Sequence, residues 1–337
     1  MDIFENKNIL ITGGCGSIGQ VLIDKILEYS PNVIRIFDIN EEGLYNMHQK
    51  YKKYTNIRYL LGNVCDKDRI QRACEDIDLI IHTAALKHVF FGEYNPFEVM
   101  KTNILGTQNV IDAALSNEVE KAIFTSSDKA VNPTNVMGTT KLFSEQLFSA
   151  ANLYRGKREI IFSTLRFGNV LGSSGSVINL FYNQIKNKVP LTITDPKMTR
   201  YIMTIPEAVN FTVNAINTAQ GGEIFISKMK SIKIYDLAKT MIEYYAEDSS
   251  SLEIKNIGKI IGEKIYEELL TENEKIRTLE TKDMYIIQSQ FIEINENIKY
   301  NAKPIKNIPL NSSEEPQLKK DELLSLIKNV INTGERM

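Results

Sequence analysis

Cysteine is scarce, and charge of one sign is not in excess. The three cysteines of the 337 residues, Cys15, Cys65 and Cys74, are too few and too scattered for a disulfide framework or a metal site, and they suit a reducing cytosol. His48, His82 and His88 have no metal-ligand spacing, so no metal is expected. The 40 Lys+Arg against 42 Asp+Glu leave a net charge of −2, which argues against nucleic acid as a partner. No apolar run approaches the roughly 18 residues that suggest a membrane span. The opening MDIFENKNILITGG has no basic segment followed by an apolar stretch, so no secretory leader is expected and a cytoplasmic location is. No internal repeat or low-complexity linker interrupts the chain. With 43% hydrophobic and 24% charged residues, it reads as one large globular domain or two closely packed ones.

What is there is an alternation. Short apolar runs at Asn8–Thr12, Val33–Asp38, Ile57–Leu61, Asp78–Thr83, Lys121–Ser126 and Ile160–Arg166 read as strands. Between them, Ser17–Tyr29, Pro96–Ser116 and Gly138–Tyr154 carry apolar residues at helical spacing, such as Ile18, Val21, Leu22 and Ile26. This pattern predicts an α/β fold, a Rossmann-type doubly wound parallel sheet with helices on both faces. After about residue 168 the alternation breaks. Residues 1–170 are expected to hold the dinucleotide, with some later segments returning to that unit. Residues 171–337 are expected to form a smaller, interleaved substrate-binding part that ends in a helix near Lys320–Ile331.

The first strand runs into Gly13-Gly14-Cys15-Gly16-Ser17-Ile18-Gly19 and then into a helix. Gly14, Gly16 and Gly19 satisfy G-x-G-x-x-G, and Gly13, Gly16 and Gly19 give a second glycine spacing. Glycine permits the tight turn and a close approach of backbone to pyrophosphate, and the helix N-terminus supplies N–H groups with partial positive charge. Asp38 ends the second strand about 20 residues further on, where a carboxylate accepts from ribose hydroxyls and repels a 2′-phosphate. It favours NAD over NADP; the alternative is a cap for the following helix. Asn63 and Val64, after the third strand, are placed to face the adenine, Asn63 through its side chain.

The fifth strand ends in Ser126-Ser127-Asp128-Lys129-Ala130-Val131-Asn132-Pro133, followed by Thr134-Asn135-Val136-Met137-Gly138-Thr139-Thr140-Lys141. Ligands sit at the C-terminal ends of strands in doubly wound sheets, and two lysines and an aspartate concentrate proton-transfer groups there. The segment resembles the UDP-N-acetylglucosamine 4,6-dehydratases, a polysaccharide-biosynthesis branch of the extended short-chain dehydrogenases. Their pattern is S-T-D-K-A-x-N-P-x-N-x-M/Y-G-x-(S/T)-K, matched here with Ser127 in the threonine position. AALKHV (Ala84–Val89), KTNILGTQNVIDAA (Lys101–Ala114), RFGNVLGSSGSV (Arg166–Val177), PKMTRYIMTIPEAV (Pro196–Val209), GEIFI (Gly222–Ile226) and GEKIYEELL (Gly262–Leu270) extend the resemblance over nearly the whole chain. There are two departures. Met137 stands where most short-chain dehydrogenases have the tyrosine of Tyr-x-x-x-Lys, and a thioether has no proton to exchange. Ile260-Ile261 stand before Gly262 where an arginine is usual, so Lys259 or Arg200 would have to serve the diphosphate.

The resemblance implies an internal redox reaction with NAD: oxidation at sugar C4, loss of water across C5 and C6, and return of the hydride to C6. Asp128 would then be the acid for the 6-hydroxyl, and Lys129 the base at C5, which needs a neutral amine and a depressed pKa. Lys141 would meet the nicotinamide ribose, and Ser127 would orient the 4-hydroxyl. Ala84, Ala85, Lys87 and Asn103 would belong to the cofactor side, and Lys87 could also reach the sugar. Met137, Asn169, Gly172–Val177 (Ser176 among them), Arg200 and Glu263 would face the UDP-sugar, with Glu263 and Lys264 opening a GEKIYEELL helix. His82 reads as a core group. Retention at C5 is expected from Met137; inversion, a C4 epimerase and an inactive nucleotide-binding scaffold are the alternatives. Helices Pro96–Ser116 and Gly138–Tyr154 would pair with those of a second copy in a homo-oligomer.

Overall fold

The structure, a computed structural model, describes residues 3–173, 175–291, 300–306, 308–309 and 311–334. Its strands are β1 (Asn8–Thr12), β2 (Val33–Asp38), β3 (Ile57–Leu61), β4 (Leu79–His82), β5 (Lys121–Ser127), β6 (Ile161–Phe167), β7 (Asn169–Leu171), β8 (Leu191–Ile193), β9 (Thr199–Thr204), β10 (Ile224–Ser227), β11 (Lys230–Lys233), β12 (Ile254–Asn256), β13 (Thr278–Glu280), β14 (Met284–Ile287) and β15 (Lys303–Pro304). The helices are α1 (Ser17–Leu27), α2 (Glu41–Lys50), α3 (Lys67–Ala73), α4 (Val89–Tyr94), α5 (Pro96–Met100), α6 (Gly106–Ser116), α7 (Val136–Tyr154), α8 (Val177–Lys186), α9 (Ile205–Thr218), α10 (Ile234–Tyr245), α11 (Glu272–Lys275) and α12 (Lys320–Gly334).

Among the described residues, ten strands form one sheet in the order β15-β13-β14-β10-β6-β5-β4-β1-β2-β3. Strands β1 to β6 and β10 pair in parallel, while β14 joins β10 antiparallel. The order reverses between β1 and β4, and a ligand crevice opens at such a switch point. The fold is thus the Rossmann-type doubly wound α/β sheet. Strand periodicity sorts its core: Ile9, Ile11, Leu79, Ile81 and Ile123 pack on one face, and Leu10, Ile80, Ala122 and Phe124 on the other. A fully buried side chain of this size contributes roughly 1.5–3 kcal/mol. A third core, with Leu171, Ile178, Phe181, Leu237, Met241 and Ile327, underlies α8, α10 and α12 beside the small sheets β11-β9-β7 and β12-β8. The large sheet takes strands from both sides of residue 170, and α9 packs against α1.

Two expected helices differ. Pro96–Ser116 is not one regular helix, because a π turn over Lys101–Leu105 separates α5 from α6. The extra residue leaves the Asn103 carbonyl accepting from Thr107 Oγ1 at 2.6 Å and Ser144 Oγ at 2.7 Å. Gly262–Leu270 is not a helix at all. Its carbonyls go elsewhere: Ile265 O to Thr199 N, Lys264 O and Ile265 O to Arg200, Glu267 O to Ser312 N, and Leu269 O to Arg166. These partners replace the i to i−4 ladder, so the helical spacing of Ile265, Leu269 and Leu270 reflects burial of an irregular strap. Among the described residues no helix is long and apolar enough to cross a membrane, and no cluster of His, Cys, Asp or Glu could hold a metal ion.

Candidate active site

A cleft of about 900 Å³ runs along the C-terminal ends of the parallel strands and into the smaller part. One end is built by the glycine turn. Gly13 has φ +71°, and a Cβ there would lie 2.7 Å from the Ala84 nitrogen, so only glycine fits between β1 and the loop after β4. Gly19 packs on Gly14, where a Cβ would lie 2.7 Å from its Cα. Gly16 N-caps α1 without a side-chain bond, and Gly16, Ser17, Ile18 and Gly19 line the cleft. The helix start thus offers its positive end to an anion.

Asp38 also lines the cleft. Its Oδ2 accepts from the Cys15 N–H at 2.9 Å, and its Oδ1 from the Asn40 N–H at 2.9 Å. Capping of α2 falls instead to Asn40, whose Oδ1 accepts from Gly43 N at 3.0 Å. Burial, with the Asp38 charge adding to it, pushes the Cys15 thiol up to about 12. Asn63 and Val64 line the cleft, but the Asn63 side-chain oxygen is engaged with Cys65 N at 2.9 Å, leaving the amide nitrogen as the group for any adenine contact.

Ala84, Ala85 and Lys87 line the floor. Asn103 does not, being 1% exposed beneath it. Asn103 instead pins the floor: its Oδ1 accepts from Leu86 N at 2.8 Å, and its Nδ2 donates to Leu86 O and Thr140 Oγ1 at 3.0 Å each. His82 is a buried core group between Thr12 Oγ1 and Thr107 Oγ1, with its pKa lowered to about 3 by burial and then by Lys141.

At the end of β5 the chain makes a 3-10 turn over Asp128–Ala130, with Ser127 Oγ accepting from Lys129 N at 3.3 Å. Ser127 and Lys129 line the cleft, whereas Asp128 is fully buried behind them. Asp128 Oδ1 accepts from Ser127 Oγ and from Lys129 Nζ, both at 2.9 Å. Lys129 Nζ also donates to Asn169 Oδ1 at 3.3 Å and lies 3.8 Å from Glu267 Oε1. The expected depressed pKa of Lys129 is not found. Burial alone would lower it, but Asp128 and Glu267 outweigh that and raise it, so the resting group is an ammonium.

Helix α7 is capped by Asn135, whose Oδ1 accepts from Gly138 N at 2.7 Å. Its first turn brings Met137 into the cleft wall, and the next turn brings Lys141. Lys141 Nζ donates to Thr125 O at 2.7 Å and sits 4.5 Å from the Phe124 ring centroid. Burial, opposed by Glu145, lowers its pKa to about 8. Burial also lowers the pKa of Lys87 on the cleft floor, so the depressed lysines of the site are Lys141 and Lys87, not Lys129.

From the smaller part, Asn169, Ser176, Val177, Arg200 and Glu263 reach the cleft. Gly172 does not: a Cβ there would lie 2.9 Å from Val330 Cγ1, on the side of α12. Ser174, within the expected 172–177 contact, lies outside the described residues. Arg200 Nη1 donates to Thr199 O at 2.8 Å and Ile265 O at 3.2 Å, and Nη2 to Lys264 O at 2.9 Å, so its guanidinium mainly holds the strap. Lys259 is exposed and does not line the cleft, while Ile257 and Ile260 form part of its wall. Buried side-chain atoms of Ser126, Ser176 and Glu263 at the cleft have no partner among the described residues, as expected where a ligand completes the bonding. Sequence reasoning missed Glu267, which is 2% exposed; within an expected amphipathic helix a glutamate there reads as a solvated residue.

A family profile described as polysaccharide biosynthesis protein matches residues 9–289. A Methanocaldococcus jannaschii protein named only as an uncharacterized membrane protein is 49% identical over 311 residues, covering 90% of this chain and 93% of that one. A Campylobacter jejuni protein named UDP-N-acetylglucosamine 4,6-dehydratase (inverting) is 41% identical over 304 residues, covering 89% of each chain. The X-ray structure of Pen from Bacillus thuringiensis superposes with a TM-score of 0.91 at 43% identity, covering 98% of this chain and 99% of that one.

Proposed function

The chain belongs to the polysaccharide biosynthesis protein family, and on that premise we propose that it is an NAD-dependent 4,6-dehydratase of UDP-N-acetylglucosamine. The observation that carries this is one cleft holding both a dinucleotide-type glycine turn with Asp38 and, across from it, the Ser127-Asp128-Lys129 turn with Lys141. The residues fit the cofactor. The close approach at Gly13, the uncapped start of α1 and the Asp38 carboxylate suit a pyrophosphate and a ribose without 2′-phosphate. Bound there, NAD would supply the reversible hydride acceptor that dehydration through a 4-ketone requires.

The chain's own groups move protons. Lys141, with a pKa near 8, is poised to take or give a proton beside the 4-hydroxyl, a task the Met137 thioether cannot perform. Lys129 reaches the sugar side of the cleft and Asp128 does not. The ammonium passes its proton to Asp128 Oδ1 at 2.9 Å, and the freed amine removes the C5 proton. Ser127 lines the cleft and shares that same Oδ1, so its hydroxyl relays the stored proton to the departing 6-hydroxyl, which leaves as water. Asp128 thus acts as a store behind Lys129 instead of touching the sugar. Asn169 and, from the part after residue 170, Ser176, Val177, Arg200 and Glu263 hold the UDP moiety.

For C5 the relatives' name favours inversion over the retention expected from Met137. The three free thiols suit the cytoplasm. Exposed Phe97, Leu105, Phe143, Leu153 and Tyr154 on the α5–α6 and α7 segments support self-association through those helices.

Purified protein with UDP-N-acetylglucosamine, followed by NMR, is the test. A new C6 methyl and a 4-keto product are expected, and in D2O the C5 configuration of the deuterated product separates inversion from retention. No product from protein shown to bind NAD would sink the proposal in favour of an inactive scaffold.

A further inference from the structure

Beneath the sugar side of the cleft lies a second carboxylate to which nothing above gives a role. Glu267 sits on the irregular strap, 2% exposed. Two contacts with Ser312 fix its backbone: Glu267 N donates to Ser312 Oγ at 3.0 Å, and Ser312 N donates to Glu267 O at 2.9 Å. Its Oε1 lies 3.8 Å from Lys129 Nζ and 3.8 Å from Arg200 Nε, while its Oε2 is buried without a partner among the described residues. A buried carboxylate with one unsatisfied oxygen costs stability, so its place beside the reactive lysine asks for a reason.

We propose that Glu267 is a positioning residue for Lys129: it and Asp128 bracket the Lys129 amine, and together they set the pH at which that amine becomes free to act as a base. The inference rests on the dehydratase reading for its catalytic meaning. The charged groups facing the pair are Asp128 from the turn after β5, Arg200 from β9, and Lys264 from the strap itself, whose Nζ is held by Val131 O at 2.7 Å. Burial, as the largest influence, raises the Glu267 pKa, with Asp128 adding to it against Lys129, Arg200 and Lys264. Glu267 and Asp128 in turn raise Lys129. Neutralising Glu267 removes one of the two anions that hold the ammonium, so Lys129 should lose its proton at lower pH.

The decisive experiment needs no turnover. The full-length protein is labelled with limiting acetic anhydride across a pH series, and acetylation of Lys129, whose side chain is 17% exposed, is read by peptide mass spectrometry. Glu267→Gln keeps the shape and removes the charge. Its Lys129 labelling midpoint should fall by a pH unit or more, which is about tenfold more free amine at a given pH. Ser312→Ala loosens the strap without changing charge, and its midpoint should stay at the wild-type value. An unchanged midpoint in Glu267→Gln overturns the proposal. So does an equal fall in both variants, because loosening and not charge would then be the cause. If the wild type dehydrates UDP-N-acetylglucosamine, the alkaline limb of kcat, where the Lys129–Asp128 pair loses the proton it passes to the leaving hydroxyl, should move down in pH by the same amount in Glu267→Gln with KM little changed. A labelling shift without any dehydration by the wild type would retain the Glu267–Lys129 coupling and reject the dehydratase reading.

Discussion

Asp38 Oδ2 accepts a hydrogen bond from the backbone N–H of Cys15 at 2.9 Å, joining the end of β2 to the glycine turn after β1. One carboxylate therefore shapes the turn and presents its charge to the cleft. An ionised carboxylate has about four acceptor sites, and the Cys15 and Asn40 N–H groups use two, which leaves capacity for ribose hydroxyls. Asp38→Ser keeps an oxygen for Cys15 and removes the charge. The ratio of NADP to NAD dissociation constants should fall by about tenfold, near 1.4 kcal/mol, as read by fluorescence titration of both nucleotides. An unchanged ratio would remove Asp38 from cofactor selection.

Lys141 gives a prediction of opposite sign for stability and activity. Its folded pKa is about 8, below the ordinary 10.5. Between those values the unfolded chain binds more protons than the folded one, so wild-type stability rises with pH through that window. Below pH 8 the folded lysine is charged and the full cost is present, on the order of 3 kcal/mol. Lys141→Met should abolish turnover yet unfold at higher urea at pH 7, by about 1–3 kcal/mol, the gain from removing the buried charge less the cost to the Thr125 carbonyl of losing its donor. The difference between the two proteins should shrink at pH 10. A variant less stable than wild type at pH 7 would show that the amine is not strained by burial.

Asn103 tests whether the floor is held from below. Asn103→Ala leaves the N–H and carbonyl of Leu86 without their partner and takes a donor from Thr140 Oγ1. The expected cost is about 2–3 kcal/mol, measured by urea unfolding, together with weaker NAD binding because Ala84 and Ala85 adjoin Leu86. Full stability in the variant would mean that the loop holds itself.

The contrast between Asn103 and Asp38 shows what was legible in the chain. Strands β1 to β6 were readable because their apolar runs are short, bounded and spaced by helical stretches, and the glycine turn was readable because its chemistry is local. Whether Asp38 or Asn40 caps α2 was not, since both are good caps and the choice depends on where the Cys15 N–H lies. The π turn was invisible because its cause, the contacts of Asn103 with Leu86, Thr140 and Ser144, comes from distant segments. The strap at 262–270 mimics a helix because burial gave it helical spacing, while Arg166, Arg200 and Ser312 took its backbone. Asp128 and Lys129 were recognised as a pair, but which of the two faces the cleft, and that Glu267 stands behind Lys129, required the fold.

Gly138 ties the helix of Met137 and Lys141 to the turn of Asp128 and Lys129. A Cβ on Gly138 would fall onto the Lys129 carbonyl oxygen, with the Lys129 carbonyl carbon at 3.1 Å and Pro133 Cβ at 3.2 Å. Alanine is favoured over glycine in a helix by about 1 kcal/mol, but here backbone must give way, since no flexible side-chain end lies in its path. The turn carrying Lys129 would move relative to Lys141, and a displacement of about 1 Å can cost about 100-fold in rate. Gly138→Ala should therefore lower kcat by about 100-fold while leaving NAD affinity near wild type, because the glycine turn and Asp38 lie at the other end of the cleft. Thr139→Ala is the control in the same helical turn: its hydroxyl donates only to Asn135 O, at 2.9 Å, so kcat should change little. Equal losses in the two variants would point to a weakened start of α7, and a kcat within twofold of wild type in Gly138→Ala would show that the turn tolerates the shift.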